Sequence, residues 1–335
     1  MAQEADRAAQ TAALPGAVIV AGPTASGKSA LALALAERLD GVVINADSMQ
    51  VYRELRVLTA RPTPDDEARA PHALYGVRPA AEPGSVFWWR EAALAAMAAA
   101  RAAGRLPIIC GGTGLYLRAL TEGLADLPEI PVPIRAEARA LLDSLGPQGL
   151  HARLAAADPA TAARLRPSDS QRLARAWEVW RASGTGLAAW QASGGATAPW
   201  RFIAALLDPP RPALRTAIAD RFAAMLAAGA LEEVRALVAA GLDPALPAMR
   251  AHGVPELSAC LRGETSLAEA AARAVTATGR YTRRQGTWFR HHPPAAAVWN
   301  ITTRFDDTEK FSERGIADLL NFLRDSGLTA VSRPA

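Results

Sequence analysis

The sequence predicts an α/β fold: a P-loop core with a mostly parallel sheet flanked by helices, plus an inserted all-helical subdomain. Short apolar runs alternate with helical patterns at both ends of the chain, and strands alternating with helices form parallel sheets. A glycine-rich loop follows the first apolar run, and a stretch near the middle of the chain has no strand pattern. The length of 335 residues suits about two domains, or one large domain with an insertion.

The core elements follow from apolar runs bounded by turn residues. The first run leads into the glycine-rich loop, after which Leu31, Leu35 and Leu39 recur on one face of a helix. Two later runs end in Asn-Ala-Asp-Ser and Gly-Gly-Thr-Gly, which are sequences typical of loops. The predicted strands are Ala17–Ala21, Val42–Ile44, Pro107–Cys110, Phe202–Leu207 and Ala297–Ile301, and the predicted helices include Glu91–Ala103, Leu214–Ala240 and Leu267–Arg290.

The middle of the chain predicts helices only. Alanine, leucine and arginine dominate residues 121–199, and prolines interrupt them repeatedly. Because proline ends helices, this composition predicts a set of short ones. We therefore predict a disordered leader at residues 1–16, an α/β core from residues 17–120 and 200–335, and a helical insertion at residues 121–199.

The composition excludes several classes of protein. Half of the residues are apolar and 21% are charged, which is enough apolar sequence for a core and excludes wholesale disorder. No apolar run approaches the roughly 20 residues of a membrane span. The two cysteines, Cys110 and Cys260, can form neither a disulfide framework nor a four-thiolate zinc site. A cytoplasmic protein is the simplest interpretation.

The glycine-rich loop matches the phosphate-binding pattern G-x-x-x-x-G-K-[ST] between a strand and a helix. Its backbone N–H groups and the positive end of the helix dipole suit phosphate oxygens. We predict that Lys28 contacts the terminal phosphate and that Ser29 coordinates Mg²⁺. The predicted diphosphate- or nucleotide-binding residues are Gly22, Pro23, Thr24, Ala25, Ser26, Gly27, Lys28 and Ser29.

This motif alone leaves the ligand open, because a diphosphate leaving group makes the same contacts as the β- and γ-phosphates of ATP. GTPases are disfavoured, since neither lysine follows an asparagine as their base-reading motif requires. The carboxyl ends of parallel strands share one edge of a sheet, where ligands bind. We therefore expect Asp47, Gln50 and Thr113 to lie beside the phosphate loop and to form a reaction centre.

Five sequence blocks, spread over nearly the whole chain, are more specific than the phosphate loop. They are GPTASGKS (22–29), NADSMQVYRELRVLTARP (45–62), PIICGGTGLYLRAL (107–120), SDSQRLARAWEVW (168–180) and RYTRRQGTWFR (280–290). Their combination and order resemble the tRNA dimethylallyltransferase family. Members of that family prenylate N6 of adenine-37, next to the anticodon on its 3′ side, in tRNAs that read codons beginning with U.

The resemblance implies a reaction and a set of catalytic residues. Dimethylallyl diphosphate is the expected donor, with its diphosphate in the phosphate loop beside Mg²⁺, the expected cofactor. Charge separates as the allylic C–O bond breaks, so electrostatic binding of the leaving group lowers the barrier. Asp47 is the expected general base for the exocyclic amine, and Thr113 is expected to position the base or the diphosphate.

The resemblance also implies contacts with the anticodon stem-loop of tRNA. Arginines beside aromatic residues, as in Arg280–Arg290, suit phosphates and unstacked bases. The implied helical insertion is then tRNA-binding, and the enzyme is expected to be monomeric and to have no membrane partner. The residues implied to contact tRNA are Asp47, Ser48, Met49, Gln50, Thr113, Arg135, Gln171, Arg172, Leu173, Ala174, Arg175, Arg280 and Arg284.

The sequence departs from the family pattern at one position that concerns the diphosphate. The family usually has arginine where Ala217 stands, and Arg215 and Arg221 are the two candidates to replace it. A second departure places Val254 where the family has tyrosine.

Three alternative functions remain open from the sequence. A P-loop kinase of a small metabolite would turn over ATP and would have no use for the basic insertion. An isopentenyltransferase acting on free adenine nucleotide would not need the arginines at 172, 175, 280 and 284. A non-enzymatic RNA-binding protein would not need the intact Lys28-Ser29 pair.

Overall fold

The computed structural model of the chain describes residues 14–305 and 313–328, and its centre is one β-sheet. The strands are β1 (Gly16–Ala21), β2 (Gly41–Asn45), β3 (His72–Ala73), β4 (Leu106–Gly111), β5 (Arg201–Leu207) and β6 (Ala297–Ile301). They lie in the order β3-β2-β4-β1-β5-β6, and each neighbouring pair is parallel. The predicted α/β class with a mostly parallel sheet is confirmed.

The five predicted strands are present, with ends that differ by at most one residue. Their near-continuous apolar runs suit a parallel sheet that is covered on both faces. The sequence did not predict β3, because two residues are too few for a pattern; it pairs with Val43 and Ile44 of β2. Most of the predicted leader lies outside the described residues, but Gly16, which the prediction placed in the leader, begins β1.

Helices cover the sheet and form the middle of the chain. They are α1 (Lys28–Leu39), α2 (Pro64–Arg69), α3 (Val86–Ala102), α4 (Gly114–Thr121), α5 (Val132–Ala157), α6 (Pro159–Ala162), α7 (Ser170–Ser183), α8 (Leu187–Ala192), α9 (Arg211–Ala227), α10 (Ala230–Ala239), α11 (Val254–Leu261), α12 (Leu267–His291) and α13 (Glu313–Asp325), with a short 3₁₀ helix at Ala248–Arg250. None of the helices in the described ranges combines the length and the apolarity that crossing a bilayer requires.

One helix prediction was wrong. The pattern predicted a single helix over Leu214–Ala240, but α9 ends at Ala227 and α10 starts at Ala230. Gly229 lies between them with φ of 97°, a left-handed conformation that glycine adopts without steric cost and that ends helices. The break lets α10 leave the direction of α9.

The sheet has a separate apolar core on each of its faces. Alternate residues of the central strands point to opposite sides, so Ile19 and Ile109 join one core while Val18 and Ile108 join the other. All four side chains are fully buried. The sheet is therefore held as a rigid support from which the loops at its carboxyl edge extend.

The described residues divide into two compact units. The first contains the sheet and runs up to Thr121 and from Ala198 onward, and the second is Glu122–Thr197. The second unit is helical throughout and has its own core, which includes Leu150, Leu154 and Trp177. Within α5, Gly146 leaves the helical conformation before Pro147, so the helix is kinked there.

Replacing Ile109 by alanine tests the sheet core. Ile109 is fully buried in the central strand β4, so Ile109→Ala should lower the free energy of unfolding by about 2–5 kcal/mol. Leu115→Ala is the control, because the Leu115 side chain is 47% exposed and its loss should cost about 0.5 kcal/mol or less. Urea denaturation followed by circular dichroism measures both, and equal losses would contradict this account of the core.

Candidate active site

A cavity of about 270 Å³ lies at the carboxyl edge of the sheet, within the sheet-containing unit. Polar side chains of the loops that follow β1 and β2 line it together with residues of α9 and α12. The structure thus brings the predicted phosphate loop and the predicted Asp47 segment to one place. The polar lining includes Thr24, Lys28, Ser29, Asp47, Ser48, Gln50, Thr59, Arg221, Arg250, His252, Thr278, Tyr281 and Arg284.

The phosphate loop has a fixed backbone conformation that glycine makes possible. Gly27 has φ of 93°, and a Cβ atom there would lie 1.8 Å from the carbonyl oxygen of Phe305. The segment after β6 supports the loop from this side, because Phe305 N–H donates to Ser26 O (3.1 Å) and Arg304 Nε donates to Ala25 O (3.1 Å). Lys28 follows as the first residue of α1, so the helix N-terminus faces the loop.

Gln285 of α12 joins two loops at the sheet edge. Its Oε1 accepts the backbone N–H of Thr24 (2.9 Å), and its Nε2 donates to Gly112 O (2.8 Å). The side chain is buried, and a Cβ atom on Gly112 would lie 2.3 Å from Nε2. Gln285 is not among the site residues predicted from the sequence, although it lies in the RYTRRQGTWFR block that carries the resemblance.

Lys28 is a buried cation without an ion pair. Its side chain is buried, and in the described part of the chain it forms no salt bridge or hydrogen bond. Burial lowers the pKa of Lys28, and the negative charge of Asp47 opposes this effect. A phosphate anion in the cavity would stabilise the charged lysine further. The next residue, Ser29, also lines the cavity.

Asp47 sits in a tight turn that leaves one carboxylate oxygen available. Its backbone N–H donates to Asn45 Oδ1 (2.8 Å), and its Oδ1 accepts the N–H of Met49 (2.9 Å). Its Oδ2 accepts no hydrogen bond from the residues that the structure describes. The carboxylate is therefore oriented by its own turn, and Asp47 is one of the residues that line the cavity.

Thr113 contacts a residue of the cavity wall, Ser48. Its Oγ1 accepts the N–H of Ser48 (3.0 Å) and donates to the Ser48 hydroxyl (3.3 Å). Ser48 lines the cavity, so Thr113 fixes one residue of the wall. Tyr281 also lines the cavity, and burial raises the pKa of Tyr281 to about 12. The prediction that Thr113 acts in catalysis stays a prediction.

Arg221 of α9 is another cation that lines the cavity. Its guanidinium makes one hydrogen bond, from Nη2 to Thr59 O (3.3 Å), and in the described residues it has no carboxylate partner. Burial lowers the pKa of Arg221, and Asp47 opposes this effect. Of the two candidates for the arginine absent at Ala217, Arg221 lines this cavity, while Arg215 lines a separate cleft.

The remaining wall of the cavity is apolar and aromatic. The Tyr281 ring lies 5.0 Å from the His252 ring, and the Arg284 guanidinium lies 5.5 Å above Tyr281. Burial lowers the pKa of His252. The cavity therefore combines cations with surfaces that suit a flat or hydrocarbon group. The apolar lining consists of Met49, Leu58, Ile218, Phe222, Met225 and Ala251.

Several predicted phosphate-loop residues lie outside this cavity. Pro23 lines the neighbouring cleft, and Ala25 packs in a small apolar cluster with Ala217 and Ile218. Gly22 and Ser26 are buried. A direct role for these side chains stays a prediction, and their visible role is to shape the loop that presents Thr24, Lys28 and Ser29.

The residues implied to bind tRNA fall into three groups in the structure: those at the cavity, Arg280, and those of the helical unit. The first group is Asp47, Ser48, Met49, Gln50 and Arg284, with Thr113 bonded to Ser48. Arg280 is exposed on α12, near Arg284. In the helical unit, Arg135, Gln171 and Arg172 are exposed. Leu173 is fully buried in the core of that unit, so its side chain offers no surface to RNA and the implied contact of this side chain needs correction.

Two of the arginines in the helical unit have acidic partners on their own helix. Arg172 Nε lies 3.5 Å from Asp169 Oδ2, and Arg175 Nη1 lies 3.2 Å from Glu178 Oε2. These exposed pairs are weak, so phosphates can compete for the guanidinium groups. Ala174 between them is half-buried.

No group of three His, Cys, Asp or Glu side chains in residues 14–305 and 313–328 could hold a metal ion. Oxygen donors that suit Mg²⁺ are nevertheless present in the cavity, namely Ser29 and Asp47.

Comparison with known proteins identifies similar sequences. The family model described as IPP transferase matches residues 50–292, and the model described as isopentenyl transferase matches residues 15–73. A tRNA dimethylallyltransferase of Granulibacter bethesdensis is 60% identical over 92% of this chain and 98% of its own length. One from Gluconacetobacter diazotrophicus is 61% identical over 91% of this chain and 93% of its own length.

Two solved structures of transferases share the fold of this chain. The full-length tRNA isopentenylpyrophosphate transferase from Bacillus halodurans is 30% identical, with a TM-score of 0.65 over 93% of this chain and 97% of its own. A eukaryotic dimethylallyltransferase acting on tRNA has a TM-score of 0.76 at 24% identity, over 93% of this chain and 80% of its own. Because the eukaryotic protein is only 24% identical to this chain, the similarity between the two shows a shared fold and nothing beyond it.

The two cysteines should differ in reactivity. Burial raises the pKa of Cys110 to about 11, so at pH 8 this thiol stays protonated and shielded, whereas Cys260 is only half-buried. Because the thiolate is the reactive form, iodoacetamide at pH 8 should label Cys260 and leave Cys110 unlabelled until the protein is denatured. Mass spectrometry of the digested protein measures this, and equal labelling of the folded protein would contradict the placement of Cys110.

Proposed function

The chain belongs to the IPP transferase family, and on this premise we propose that it is a tRNA dimethylallyltransferase. It transfers the dimethylallyl group of dimethylallyl diphosphate to N6 of adenine-37, next to the anticodon, in tRNAs that read codons beginning with U. The products are N6-isopentenyladenosine in tRNA and diphosphate. The acceptor makes the cytoplasm the expected compartment.

One observation carries the proposal at the level of the site. Lys28 and Arg221, which form no ion pair with any residue that the structure describes, line the same cavity as Asp47 and an apolar wall. A diphosphate needs the cations, a five-carbon prenyl group needs the apolar wall, and a nucleophile that loses a proton needs the carboxylate. A single cavity thus suits all three parts of the reaction.

The cations act on the leaving group. As the allylic C–O bond breaks, negative charge grows on the diphosphate and positive charge on the prenyl carbon. Lys28, Arg221 and the helix N-terminus at Lys28 stabilise the negative charge, and they are already oriented before the reaction. The Tyr281 and Phe222 rings lie in the same cavity and can face the allylic cation.

Asp47 acts on the nucleophile. The exocyclic amine of adenine is a poor nucleophile because its lone pair is delocalised into the ring. As the N–C bond forms, Asp47 Oδ2 takes the proton that the amine loses. Thr113 supports this step indirectly, because its two hydrogen bonds fix Ser48, the residue after Asp47.

The donor set of the cavity fits Mg²⁺ held mainly by the diphosphate. Mg²⁺ takes one or two protein oxygens and completes its shell with water and phosphate, and the Ser29 hydroxyl offers such an oxygen. When bound, the ion would neutralise charge on the diphosphate.

The acceptor base has to leave the stacked anticodon loop to reach the cavity. Enzymes that modify a base extrude it into a pocket, at a cost of a few kcal/mol. Arg284 at the cavity and Arg280 on the same helix suit the phosphates beside the extruded base. The exposed arginines of the helical unit provide further phosphate contacts in this proposal.

Incubation of the purified protein with labelled dimethylallyl diphosphate, Mg²⁺ and unmodified tRNA tests the function. Nuclease digestion should yield labelled N6-isopentenyladenosine from tRNA, and AMP offered at the same concentration should stay unlabelled. Label on AMP alone would support transfer to a free nucleotide instead. Turnover of ATP with a metabolite acceptor, and no use of the isoprenoid donor, would overturn the proposal in favour of a kinase.

Asp47→Asn tests the general base. Asparagine can still accept the Met49 N–H and keep the turn, but it cannot take a proton, so kcat should fall about 10²-fold or more. The affinity for tRNA should change little. Single-turnover kinetics and filter binding measure the two quantities, and Asp65→Asn on the exposed face of α2 is the control. An unchanged kcat would remove Asp47 from this role.

Arg284→Ala tests the phosphate contact. Loss of one cation should weaken tRNA binding and reduce the slope of log K against log salt by about 1. The control is Arg235→Ala, which removes an exposed arginine of α10 away from the cavity. Filter binding over a salt series measures the slopes, and a slope equal to that of the control would refute a phosphate contact at Arg284.

A further inference from the structure

A single carboxylate holds three consecutive backbone N–H groups beside the cavity. Glu233 of α10 accepts from Arg56 N (2.7 Å) and Val57 N (2.7 Å) at Oε2, and from Leu58 N (2.9 Å) at Oε1. These partners lie about 175 residues apart in the sequence. Hydrogen bonds to a charged acceptor are the stronger class in proteins. Glu233 therefore fixes a loop that would otherwise have three unpaired donors.

The fixed loop continues directly into the cavity wall. Leu58 and Thr59, the residue after it, both line the cavity. The Thr59 carbonyl oxygen accepts one hydrogen bond from Gln50 Nε2 (3.0 Å) and one from Arg221 Nη2 (3.3 Å). The loop that Glu233 anchors thus supplies the acceptor that orients Arg221.

The orientation of the Arg221 guanidinium depends on the Thr59 carbonyl. Within the described residues, the guanidinium makes a single hydrogen bond, to Thr59 O, and no carboxylate pairs with Arg221. An arginine side chain has many rotamers, so its direction is set by the groups that bind it. A shift of the Thr59 carbonyl would move the guanidinium relative to Lys28.

We propose that Glu233 is a positioning residue for diphosphate: it anchors Arg56–Leu58 so that the Thr59 carbonyl directs the Arg221 guanidinium into the cavity. This inference rests on the proposed function, since it assigns the anion to a donor's leaving group. Three contacts in series link Glu233 to the diphosphate: Glu233 binds the loop, the loop binds Arg221, and Arg221 binds the diphosphate.

The chemistry requires a carboxylate at this position. Glutamine has one acceptor oxygen and one NH₂ group, which is a donor. In Glu233→Gln the NH₂ group would face a backbone N–H, and at least one of the three donors would lose its partner. The substitution keeps the size of the side chain, so it tests the hydrogen bonds with little change in packing.

The experiment compares Glu233→Gln with Glu232→Gln, an exposed neighbour on the same helix. Inorganic diphosphate with Mg²⁺ is the probe, and its dissociation constant is measured by calorimetry without tRNA. We expect Glu233→Gln to weaken diphosphate binding about tenfold and to lower kcat/KM for the donor at least as much. Affinity for tRNA should stay within about twofold, and Glu232→Gln should match the wild type.

A double-mutant cycle separates positioning from general stability. If Glu233 acts through Arg221, then Glu233→Gln should have little further effect on diphosphate binding in an Arg221→Lys background. A purely structural role would lower Tm and the active fraction while leaving the dissociation constant unchanged. Unchanged diphosphate binding in folded Glu233→Gln, or losses that multiply in the double mutant, would overturn the proposal.

A second variant and one wild-type measurement complete the test. If Glu233→Gln does not fold, Glu233→Asp replaces it, because the shorter carboxylate cannot reach all three N–H groups and should shift the same constants by a smaller factor. Wild-type diphosphate binding by folded Glu233→Asp would then overturn the proposal. Diphosphate binding without tRNA prenylation by the wild type would refute the proposed function and still leave the role of Glu233 measurable.

Discussion

The two hydrogen bonds of Gln285 join three parts of the molecule that the reaction needs together. One reaches the phosphate loop at Thr24, and the other reaches the loop after β4 at Gly112. Gln285 itself belongs to α12, which also carries Tyr281 and Arg284. Buried polar groups cost free energy unless they are paired, so this arrangement is stable only when the loops and α12 hold these relative positions. The cavity is a consequence of that arrangement.

The cavity carries more positive than negative charge. Lys28 and Arg221 face it with Asp47 as the nearby carboxylate, and burial lowers the pKa of both cations. Such a site is costly without an anion and becomes favourable when a diphosphate binds, because the anion restores the preference for the charged forms. A backbone contact, the Thr59 carbonyl, holds Arg221 and leaves its charge available for a ligand.

Ala217 and Arg221 lie one helical turn apart on α9 and have different surroundings. Ala217 packs with Ala25 and Ile218 in an apolar cluster. Arg221 lines the cavity. In our proposal the orientation of Arg221 depends on Glu233 of the following helix and on the loop at Arg56–Leu58, which is remote in sequence from α9.

The sequence by itself determined the local elements and the family. The phosphate motif, the strands and most helices follow from apolar runs, glycines and prolines, because these act over a few residues. Contacts across the fold needed the tertiary structure. Gln285 and Glu233 bind backbone groups 261 and 175–177 residues away, and backbone partners leave no mark in a sequence pattern. The same reason left the choice between Arg215 and Arg221 open, since only packing decides which face of α9 meets the cavity.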